Sequence, residues 1–533
     1  MKLEKQSLKL DRASWEAKGY IIPGFDRDDI APKTKEHPYW IQFGGGNLFK
    51  AFQAHLAQRL LDMGEMDRGV IAVNREQEGI HQPNDNYTIL ATLKADGTVE
   101  KTVICSVVED LLLTGPGTED FEILKEHFRA DSLQMVTFTI TEKGYSLVGG
   151  DGNYLPEVAE DLAGGPGTAK TFMGRVVALL YERYLAGKTP LALVSTDNCS
   201  HNGDKVRAAI SAFAEKWTAD GKVDAGFAGY VREKISTPWT MIDKITPFPD
   251  PAVKAMLEAD GVENLETTIT PTGVHIAPYV NSEETEYLVI EDLFPNGRPP
   301  LDKAGVIFTD RETVDKVEKM KVCTCLNPLH TCLAIYGCLL GYGKICDEMR
   351  DEELVDLIKT VGYKEGLPVV VDPGIIDPKQ FIDTVINVRL PNPFMPDTPQ
   401  RIAMDTSQKL SIRFGNTIKA YQASSELDVK DLKLIPLVQA GWLRYLMGLD
   451  DNGKPFEPSS DPMMDTVKPY VAGLKLEPGQ DVEAAVAPIL RMESIFGLDL
   501  YEAGLADAVI GYLRELTAGP GAVRATLKKY VHG

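Results

Sequence analysis

Three side chains near the middle of the chain could carry proton transfer at a carbonyl group. Lys321, Asn327 and His330 lie in one apolar stretch that continues to Tyr342. Asn327 and His330 are three residues apart and share a helix face, on which a lysine a turn or two earlier can converge. Burial lowers the pKa of an amine, so Lys321 could exchange protons near neutrality. The amide and imidazole would hold an oxygen; a capping asparagine and a core histidine are an equally good interpretation.

A second polar cluster follows the apolar run at residues 191–194. Its members are Ser195, Thr196, Asp197, Asn198, His201 and Asn202. Side chains at the carboxyl end of a parallel strand lie where open α/β sheets bind ligands. Taken alone, such a cluster is more often an Asx turn followed by a helix cap.

Two further groups could recognise a substrate or move a proton. Arg401, Asp405 and Lys409 recur at four-residue steps, which favours an exposed helix with i,i+4 ion pairs. The functional alternative is a cationic clamp for a polyol or carboxylate, because arginine binds a carboxylate through two parallel hydrogen bonds. Glu142 follows an apolar strand that ends at Ile140, and is either a turn residue or a proton-relay carboxylate.

The elements that position these groups begin with a strand, a turn and a helix. The apolar run 39–43 is followed by three glycines, and apolar residues then recur at helical spacing until Gly64. A second strand is predicted at 69–73, which completes a βαβ unit of the dinucleotide-binding type. The candidate cofactor residues in its turn are Gly44, Gly45, Gly46, Asn47 and Leu48. The glycine pattern alone is a weak signal, because Phe49 stands where a third spaced glycine is usual.

Cofactor choice depends on the residues after the second strand. NAD-binding folds usually place an acidic residue there to accept from the ribose hydroxyls. This chain has Asn74, Arg75 and Glu76 at that point. Glu76 could bind the ribose, whereas Arg75 could meet the 2′-phosphate of NADP. The expected cofactor is NAD, with NADP as the alternative.

The rest of the chain predicts an α/β fold followed by a mostly α-helical part. Further strands are expected at 102–108, 135–140 and 191–195, with a helix at 169–186. From about residue 303 the apolar residues take helical spacing, including 326–342 and 407–414. We expect a Rossmann-like NAD(P)-binding domain at 1–302 and an α-helical substrate and catalytic domain at 303–533.

Composition limits the class of protein. The 533 residues carry 56 Lys and Arg against 78 Asp and Glu, a formal charge of −22, which disfavours nucleic acid and anionic membrane surfaces as partners. The N-terminus has no apolar signal region. The seven cysteines are too few for a disulfide framework and lack zinc-ligand spacing. We therefore expect a cytoplasmic protein without a metal site.

Seven motifs in order resemble those of the polyol-specific long-chain dehydrogenases, the mannitol dehydrogenase family, which includes the hexuronate reductases. They are GGGNLFKAF, TITEKGY (139–145), STDNCSHNGD (195–204), MIDKITP (241–247), YLVIEDLFPNGRP (287–299), KVCTCLNPLHT (321–331) and RIAMDTSQK (401–409). The resemblance spans about residues 38–500. It implies an active site between the two domains and no metal.

The resemblance also implies a role for each candidate. Lys321 would be the acid/base, Asn198 and Asn327 would hold the reacting oxygen, and His330 would bind and orient the substrate. Glu142 would line a proton path, and the substrate would be bound by Arg401, Lys409 and Asp243. The family usually places the lysine five residues before the asparagine, but Lys321 is six before it. A one-residue bulge would restore the register, and Lys319 is the poorer rival.

The function that this resemblance implies is hydride exchange between a nicotinamide cofactor and a sugar derivative. The reaction that we expect is reduction of a keto-sugar acid, fructuronate, to its secondary alcohol, mannonate. Mannitol or arabitol 2-dehydrogenase and tagaturonate reductase are the alternatives, and an epimerase or sensor with bound NAD is more remote. The expected partner is a small sugar acid or polyol, and the expected state is a monomer or small homo-oligomer.

Overall fold

The computed structural model describes residues 1–75, 84–149, 152–270, 273 and 275–532. The chain separates into two compact units, Met1–Asp315 and Lys316–Gly533. The strands are β1 (Tyr20–Ile21), β2 (Trp40–Phe43), β3 (Val70–Arg75), β4 (Thr88–Leu93), β5 (Val99–Ile104), β6 (Val107–Leu113), β7 (Met135–Phe138), β8 (Leu191–Ser195), β9 (Ile235–Ser236), β10 (Thr240–Asp243), β11 (Thr268–Ile269), β12 (His275–Ile276), β13 (Tyr279–Glu283), β14 (Tyr287–Glu291) and β15 (Ile307–Thr309). All of these strands lie in the first unit.

The main sheet of the first unit has six strands in the order β6–β3–β2–β7–β8–β9. Every neighbouring pair in it is parallel. This is the strand order of the doubly wound dinucleotide-binding fold, in which the order reverses between the first and fourth strands. Here that switch point lies between β2 and β7. The predicted α/β class is confirmed.

Helices cover both faces of this sheet. The helices with residues in the first unit are α1 (Lys5–Leu10), α2 (Arg12–Ala17), α3 (Arg27–Glu36), α4 (Ala54–Asp62), α5 (Glu119–Arg129), α6 (Pro156–Gly164), α7 (Phe172–Ala186), α8 (Asn202–Ala219), α9 (Phe227–Lys234), α10 (Pro251–Ala259) and α11 (Arg311–Met320). Alternate residues of one strand enter different cores: Ile41 and Phe43 pack with α5, α7 and α8, whereas Trp40 packs with α4. Burial on both faces explains the continuous apolar runs of these strands.

Three smaller sheets complete the first unit. They have the orders β1–β5–β4–β13, β10–β14–β15 and β11–β12. The single strand predicted at 102–108 is wrong, since β5 and β6 belong to different sheets and are separated at Cys105 and Ser106. Both residues bond to α4: Cys105 N–H donates to Gln58 Oε1 (3.0 Å) and Ser106 Oγ donates to the Ala54 carbonyl (2.7 Å).

The second unit is built from helices, as predicted. They are α12 (Asn327–Leu340), α13 (Ile345–Glu348), α14 (Glu352–Lys359), α15 (Pro378–Thr384), α16 (Pro399–Ile402), α17 (Asn416–Ala423), α18 (Leu434–Leu446), α19 (Met464–Val471), α20 (Val482–Leu490), α21 (Glu493–Phe496), α22 (Ala506–Leu516) and α23 (Ala522–Val531). Helix α18 is buried along its whole length. The buried carboxylate of Glu365 accepts the N–H groups of Lys433, Leu434 and Ile435 at 2.7–2.8 Å and so caps this helix.

Several helices widen locally into a π turn, in which an N–H bonds to the carbonyl five residues earlier. Within the described ranges these turns are Phe49–Gln53, Lys321–Cys325, Thr360–Gly366, Val385–Arg389 and Ser411–Gly415. A π turn places one more residue in the turn than an α-helix does, and such turns are frequent at functional sites. Two of them adjoin the candidate residues identified from the sequence, at Asn47–Leu48 and at Lys321.

One described stretch, Arg311–Leu340, is long and apolar enough to cross a membrane by length and composition alone. Its most apolar window is 78% buried inside the fold. Such burial is typical of a core helix.

A carboxyl group is buried at the end of α13 without a hydrogen-bond partner. Glu348 is 0% exposed, and neither carboxyl oxygen has a partner among the described residues. It is packed so closely that a Cβ on Gly337 would lie 1.9 Å from Oε1. Burial raises the pKa of Glu348 to about 9, and the charges of Asp351 and Asp347 add to this effect.

We predict that Glu348→Gln makes the stability less dependent on pH. The folded state keeps the Glu348 proton up to about pH 9, whereas the unfolded chain loses it near pH 4.5, so this residue's contribution to stability falls across that interval. The advantage of the variant over the parent should grow between pH 5 and 8 by on the order of 4 kcal/mol, measured by urea unfolding. Equal pH slopes for the two proteins would contradict this. The exposed Glu352→Gln is the control and should follow the parent.

Candidate active site

The predicted glycine turn lies at the carboxyl end of β2. Gly44 has φ +93°, a left-handed conformation, and a Cβ there would lie 2.2 Å from the Thr139 carbonyl oxygen. A Cβ on Gly45 would lie 2.5 Å from Asn74 Oδ1. Neither position can hold a larger residue, which explains the glycines. A turn whose backbone is unshielded by side chains, followed by a helix start, fits the pyrophosphate of a dinucleotide.

Asn74 supports this turn from the end of the neighbouring strand β3. Its side chain is 2% exposed, its Oδ1 accepts the Gly45 N–H (3.0 Å), and its Nδ2 donates to Asp110 Oδ1 (2.6 Å). Asn47, at the helix start, donates through Nδ2 to the Pro247 carbonyl (3.3 Å). Leu48 follows it as the last residue before the π turn. Asn74 therefore holds the backbone of the turn that would bind the cofactor.

Arg75 is the last residue of β3. Its Nη2 donates to the carbonyl of Ile140 (2.8 Å) in the segment after β7. It lines a cavity of about 370 Å³ together with residues of that segment. Glu76, the acidic alternative for cofactor recognition, lies outside the described residues.

The segment that carries Asn198 is fixed on both sides of that residue. Asn198 itself is exposed after β8. Before it, the buried carboxylate of Asp197 accepts the N–H of Ile140 (3.0 Å), the N–H of Thr141 (2.8 Å) and the hydroxyl of Tyr145 (2.6 Å). These bonds join the segments that follow β7 and β8. The Asx-turn interpretation therefore describes only part of what this cluster does.

Asn202 fixes the other side of the same segment. Its Nδ2 donates to the carbonyls of Asp197 (3.1 Å) and Thr240 (3.1 Å) and to Thr240 Oγ1 (2.8 Å), and its Oδ1 accepts the Thr240 N–H (3.0 Å). Asn198 thus projects from a short loop whose two ends are held by buried polar side chains.

Glu142 lies on the segment that Asp197 holds. It follows Thr141, which has the strained φ of +66°. The Glu142 side chain is exposed and its Oε1 lies 2.9 Å from Lys205 Nζ. An exposed carboxylate next to the edge of the sheet is compatible with a proton path to solvent.

Asp243 is the last residue of β10, which pairs antiparallel with β14. It is buried. The next residue, Lys244, forms an ion pair with Glu286 (2.8 Å). The first unit therefore contributes Asp243 from a different sheet than Asn198 and Glu142.

The second unit contains the candidate amine, amide and imidazole, which belong to Lys321, Asn327 and His330. Lys321 begins a π turn that closes with a bond from Leu326 N–H to its carbonyl (3.1 Å), and Asn327 then starts α12. A π turn adds one residue to a helical turn, which is the kind of bulge that the hypothesis about Lys321 calls for. Lys321 is 3% exposed, whereas the rival Lys319 is exposed. A buried amine matches the sequence hypothesis better than a solvated one.

His330 lies one turn further along α12. Its Nε2 is 3.7 Å from Asp397 Oδ2. Burial lowers the pKa of His330 to about 4, against the opposing effect of Asp397. The imidazole is therefore neutral at pH 7 and can both donate and accept a hydrogen bond.

Arg413 holds the start of α12 and was not among the sequence candidates. Its Nη1 donates to the Asn327 carbonyl (3.3 Å) and to Thr331 Oγ1 (2.5 Å). Burial lowers its pKa to about 10. Its position four residues after Lys409 was the only sequence signal for it.

The exposed helix predicted through Arg401, Asp405 and Lys409 is wrong. Helix α16 ends at Ile402, and Asp405 has the left-handed φ of +53°. Arg401 pairs with Asp397, not with Asp405. The helix predicted at 407–414 begins later than expected: Thr406–Gln408 form a short 3₁₀ turn, and Ser411–Gly415 form a π turn that continues into α17.

The side chain of Lys409 folds back toward the residues at which helix α16 ends. Its Nζ donates to the carbonyls of Ile402 (3.1 Å) and Met404. Burial lowers the pKa of Lys409 to about 8, and the charges of Arg413 and Arg401 lower it further. Asp397, between His330 and Arg401, was also missed by sequence reasoning. The second unit thus brings Arg401, Asp397 and His330 into one connected group.

A doubly wound sheet with a glycine turn at its switch point defines the first unit as a nicotinamide dinucleotide-binding domain of an oxidoreductase. Comparison with known families narrows this class. The mannitol dehydrogenase Rossmann domain matches residues 39–303, and the mannitol dehydrogenase C-terminal domain matches residues 313–516. The chain belongs to the mannitol dehydrogenase family, whose members use NAD(P).

Individual relatives agree with this assignment. The chain is 48% identical to the D-mannonate oxidoreductase of Thermotoga maritima, over 100% of this chain and 99% of the relative. The mannitol 2-dehydrogenase of Pseudomonas fluorescens, solved as a ternary complex with NAD and D-mannitol, has a TM-score of 0.71 at 26% identity, covering 100% of both chains. A substrate-free D-sorbitol dehydrogenase has a TM-score of 0.78 at 27% identity, covering 95% of this chain and 97% of that one.

We predict that Asp197→Asn reduces kcat about tenfold or more while the KM for the coenzyme stays within about threefold. An amide presents one acceptor oxygen where a carboxylate presents two, so the Ile140, Thr141 and Tyr145 donors cannot all be satisfied and Asn198 loses its position. Steady-state kinetics and thermal unfolding measure both effects.

The matched control is Asp451→Asn in the second unit. Asp451 is 7% exposed, against 9% for Asp197, and its carboxylate also accepts two backbone N–H groups, from Val523 (2.8 Å) and Arg524 (3.3 Å). It should lose stability without losing kcat. Equal kcat losses in the two variants would mean that Asp197 has only a structural role.

Proposed function

We propose that the protein is an NAD(P)H-dependent hexuronate reductase that interconverts fructuronate and mannonate. The observation that carries this proposal is the buried lysine at the π turn, directly before Asn327 and His330, in a chain that is 48% identical to a D-mannonate oxidoreductase over its full length. Cationic groups at Arg401 and Lys409 support an acidic sugar over a neutral one, because a carboxylate gains a charge-assisted hydrogen bond from them.

The chain's own side chains have separate tasks in this reaction. A bound reduced nicotinamide supplies hydride to the carbonyl carbon of the sugar. Asn198 and Asn327 donate hydrogen bonds to the oxygen as it gains negative charge, and Lys321 Nζ delivers a proton to it. Glu142 relays a second proton from solvent, which restores the charged amine of Lys321. Oxidation of the alcohol runs through the same groups in reverse.

The remaining residues orient the substrate. Neutral His330 accepts or donates a hydrogen bond at a sugar hydroxyl, and Asp397 keeps its ring in place. Arg401 and Lys409 bind the carboxylate at the far end of the sugar, and Asp243 accepts from a hydroxyl. The glycine turn at Gly44–Leu48 and the strand end at Asn74 and Arg75 bind the coenzyme. We also propose a cytoplasmic monomer or small homo-oligomer, which agrees with seven free cysteines.

The first test compares NADH and NADPH oxidation with fructuronate, tagaturonate and fructose. A fast rate with fructuronate alone supports the proposal. A faster rate with tagaturonate or fructose would replace it with tagaturonate reduction or a 2-dehydrogenase of neutral polyols.

A matched pair of lysine variants tests the acid/base. Lys321→Ala should lower kcat about 1,000-fold, as expected for loss of general acid catalysis, with coenzyme affinity within a few-fold of the parent. Lys319→Ala, two residues away but exposed, should leave kcat unchanged. Near-normal turnover of Lys321→Ala, or an equal loss of coenzyme affinity, would refute the assignment.

Arginine variants test recognition of the acidic sugar. Arg401→Ala should raise the KM for fructuronate about tenfold while changing the KM for fructose little, because only the acid loses a charge-assisted bond. Arg350→Ala removes an exposed arginine of the same unit that pairs with Asp347 (3.2 Å) and should change neither value. Equal increases for both sugars would show that Arg401 does not bind the carboxylate.

A further inference from the structure

The first unit has a cavity of about 370 Å³ at the carboxyl ends of three strands of its main sheet, β6, β3 and β7. Arg75 ends β3, Leu113 ends β6, and Thr141 lies in the segment that follows β7. Arg75 and Leu113 are on the far side of β2 and β7 from β8, whereas the segment that carries Thr141 is bonded to Asp197, next to Asn198. In a doubly wound fold, the residue at the end of the second strand faces the adenosine ribose of the coenzyme.

One wall of the cavity is apolar. Leu113, Leu155, Val158 and Phe172 contribute to it. A flat apolar wall suits a purine ring, since small-molecule sites combine apolar surface with a few placed polar groups.

Four of the other described lining residues are cationic, in a chain with a net charge of −22. Arg75, Lys143, Lys170 and Arg175 line the cavity together with a single acidic residue among the described lining, Glu157. The two guanidinium groups are held by neutral carbonyls, Arg75 by Ile140 (2.8 Å) and Arg175 by Leu113 (2.5 Å). At Arg75, the carbonyl orients the guanidinium without neutralising its charge.

We propose that this cavity receives the adenosine end of the coenzyme, and that Arg75 and Lys143 bind the 2′-phosphate of NADP(H). The inference rests on the proposed function and specifies its coenzyme. Arginine at the end of the second strand is suited to a phosphate, which it can bind through two parallel bonds. NAD(H) fits the same cavity without these contacts, so both coenzymes are used and the phosphorylated one binds more tightly.

Binding of coenzyme fragments tests the proposal without turnover. Isothermal titration of the full-length protein should give a Kd for adenosine 2′,5′-bisphosphate at least about tenfold lower than for 5′-AMP. Arg75→Ser should remove most of that difference by weakening the bisphosphate alone, Lys143→Met should remove part of it, and Arg75→Lys should retain part of it. The ratio of kcat/KM for NADPH to that for NADH should change in parallel.

The control is Arg232→Ser, which removes an exposed arginine of the same unit, on α9, and changes the net charge equally. It should leave both affinities unchanged. Equal affinity of the parent for the two fragments, or equal weakening of both by Arg75→Ser, would overturn the proposal. Selective bisphosphate binding in a protein that does not reduce fructuronate would reject the proposed substrate and leave the coenzyme site standing.

Discussion

The carboxylate of Asp197 joins the ends of two parallel strands, and the candidate site of the first unit depends on this bond. Parallel strands end at one edge of a sheet, but the segments beyond them lack the hydrogen bonds that join neighbouring strands. Asp197 accepts two backbone N–H groups and a tyrosine hydroxyl at 2.6–3.0 Å. Burial of the Tyr145 hydroxyl, together with the charge of Asp197, raises the pKa of Tyr145 well above its usual value, so the hydroxyl remains a donor. Through these contacts Asn198 and Glu142 are carried on one rigid edge.

The main sheet was predictable because strands buried on both faces leave long apolar runs. Residues 191–195 were predicted as a strand, and β8 has those bounds. The prediction was wrong at 102–108, where periodicity does not reveal that Cys105 and Ser106 bond to a helix. It was also wrong around Asp405, because a left-handed residue can interrupt a regular four-residue spacing without leaving a signal in the residue types.

The candidate site was accessible from the sequence only in part. Lysine, asparagine and histidine at close spacing are visible in the residue types, and the structure brings them to adjacent turns. Asp397 and Arg413 were missed because their contacts depend on tertiary packing that the local pattern does not encode. The roles of all these side chains remain predictions. The charge of the Arg75 cavity was equally hidden, since its four cations come from three separate segments of the chain.

The π turn at Lys321 has a consequence for how enzymes of this kind are recognised in genomes. A single inserted residue is absorbed within one turn of helix, so the fold can keep an amine before Asn327 while the linear spacing changes. A search that requires a fixed interval between lysine and asparagine would reject this chain or select the wrong lysine. If the substrates of the family are then listed from the proteins that such searches find, the list omits members whose helix differs by one residue.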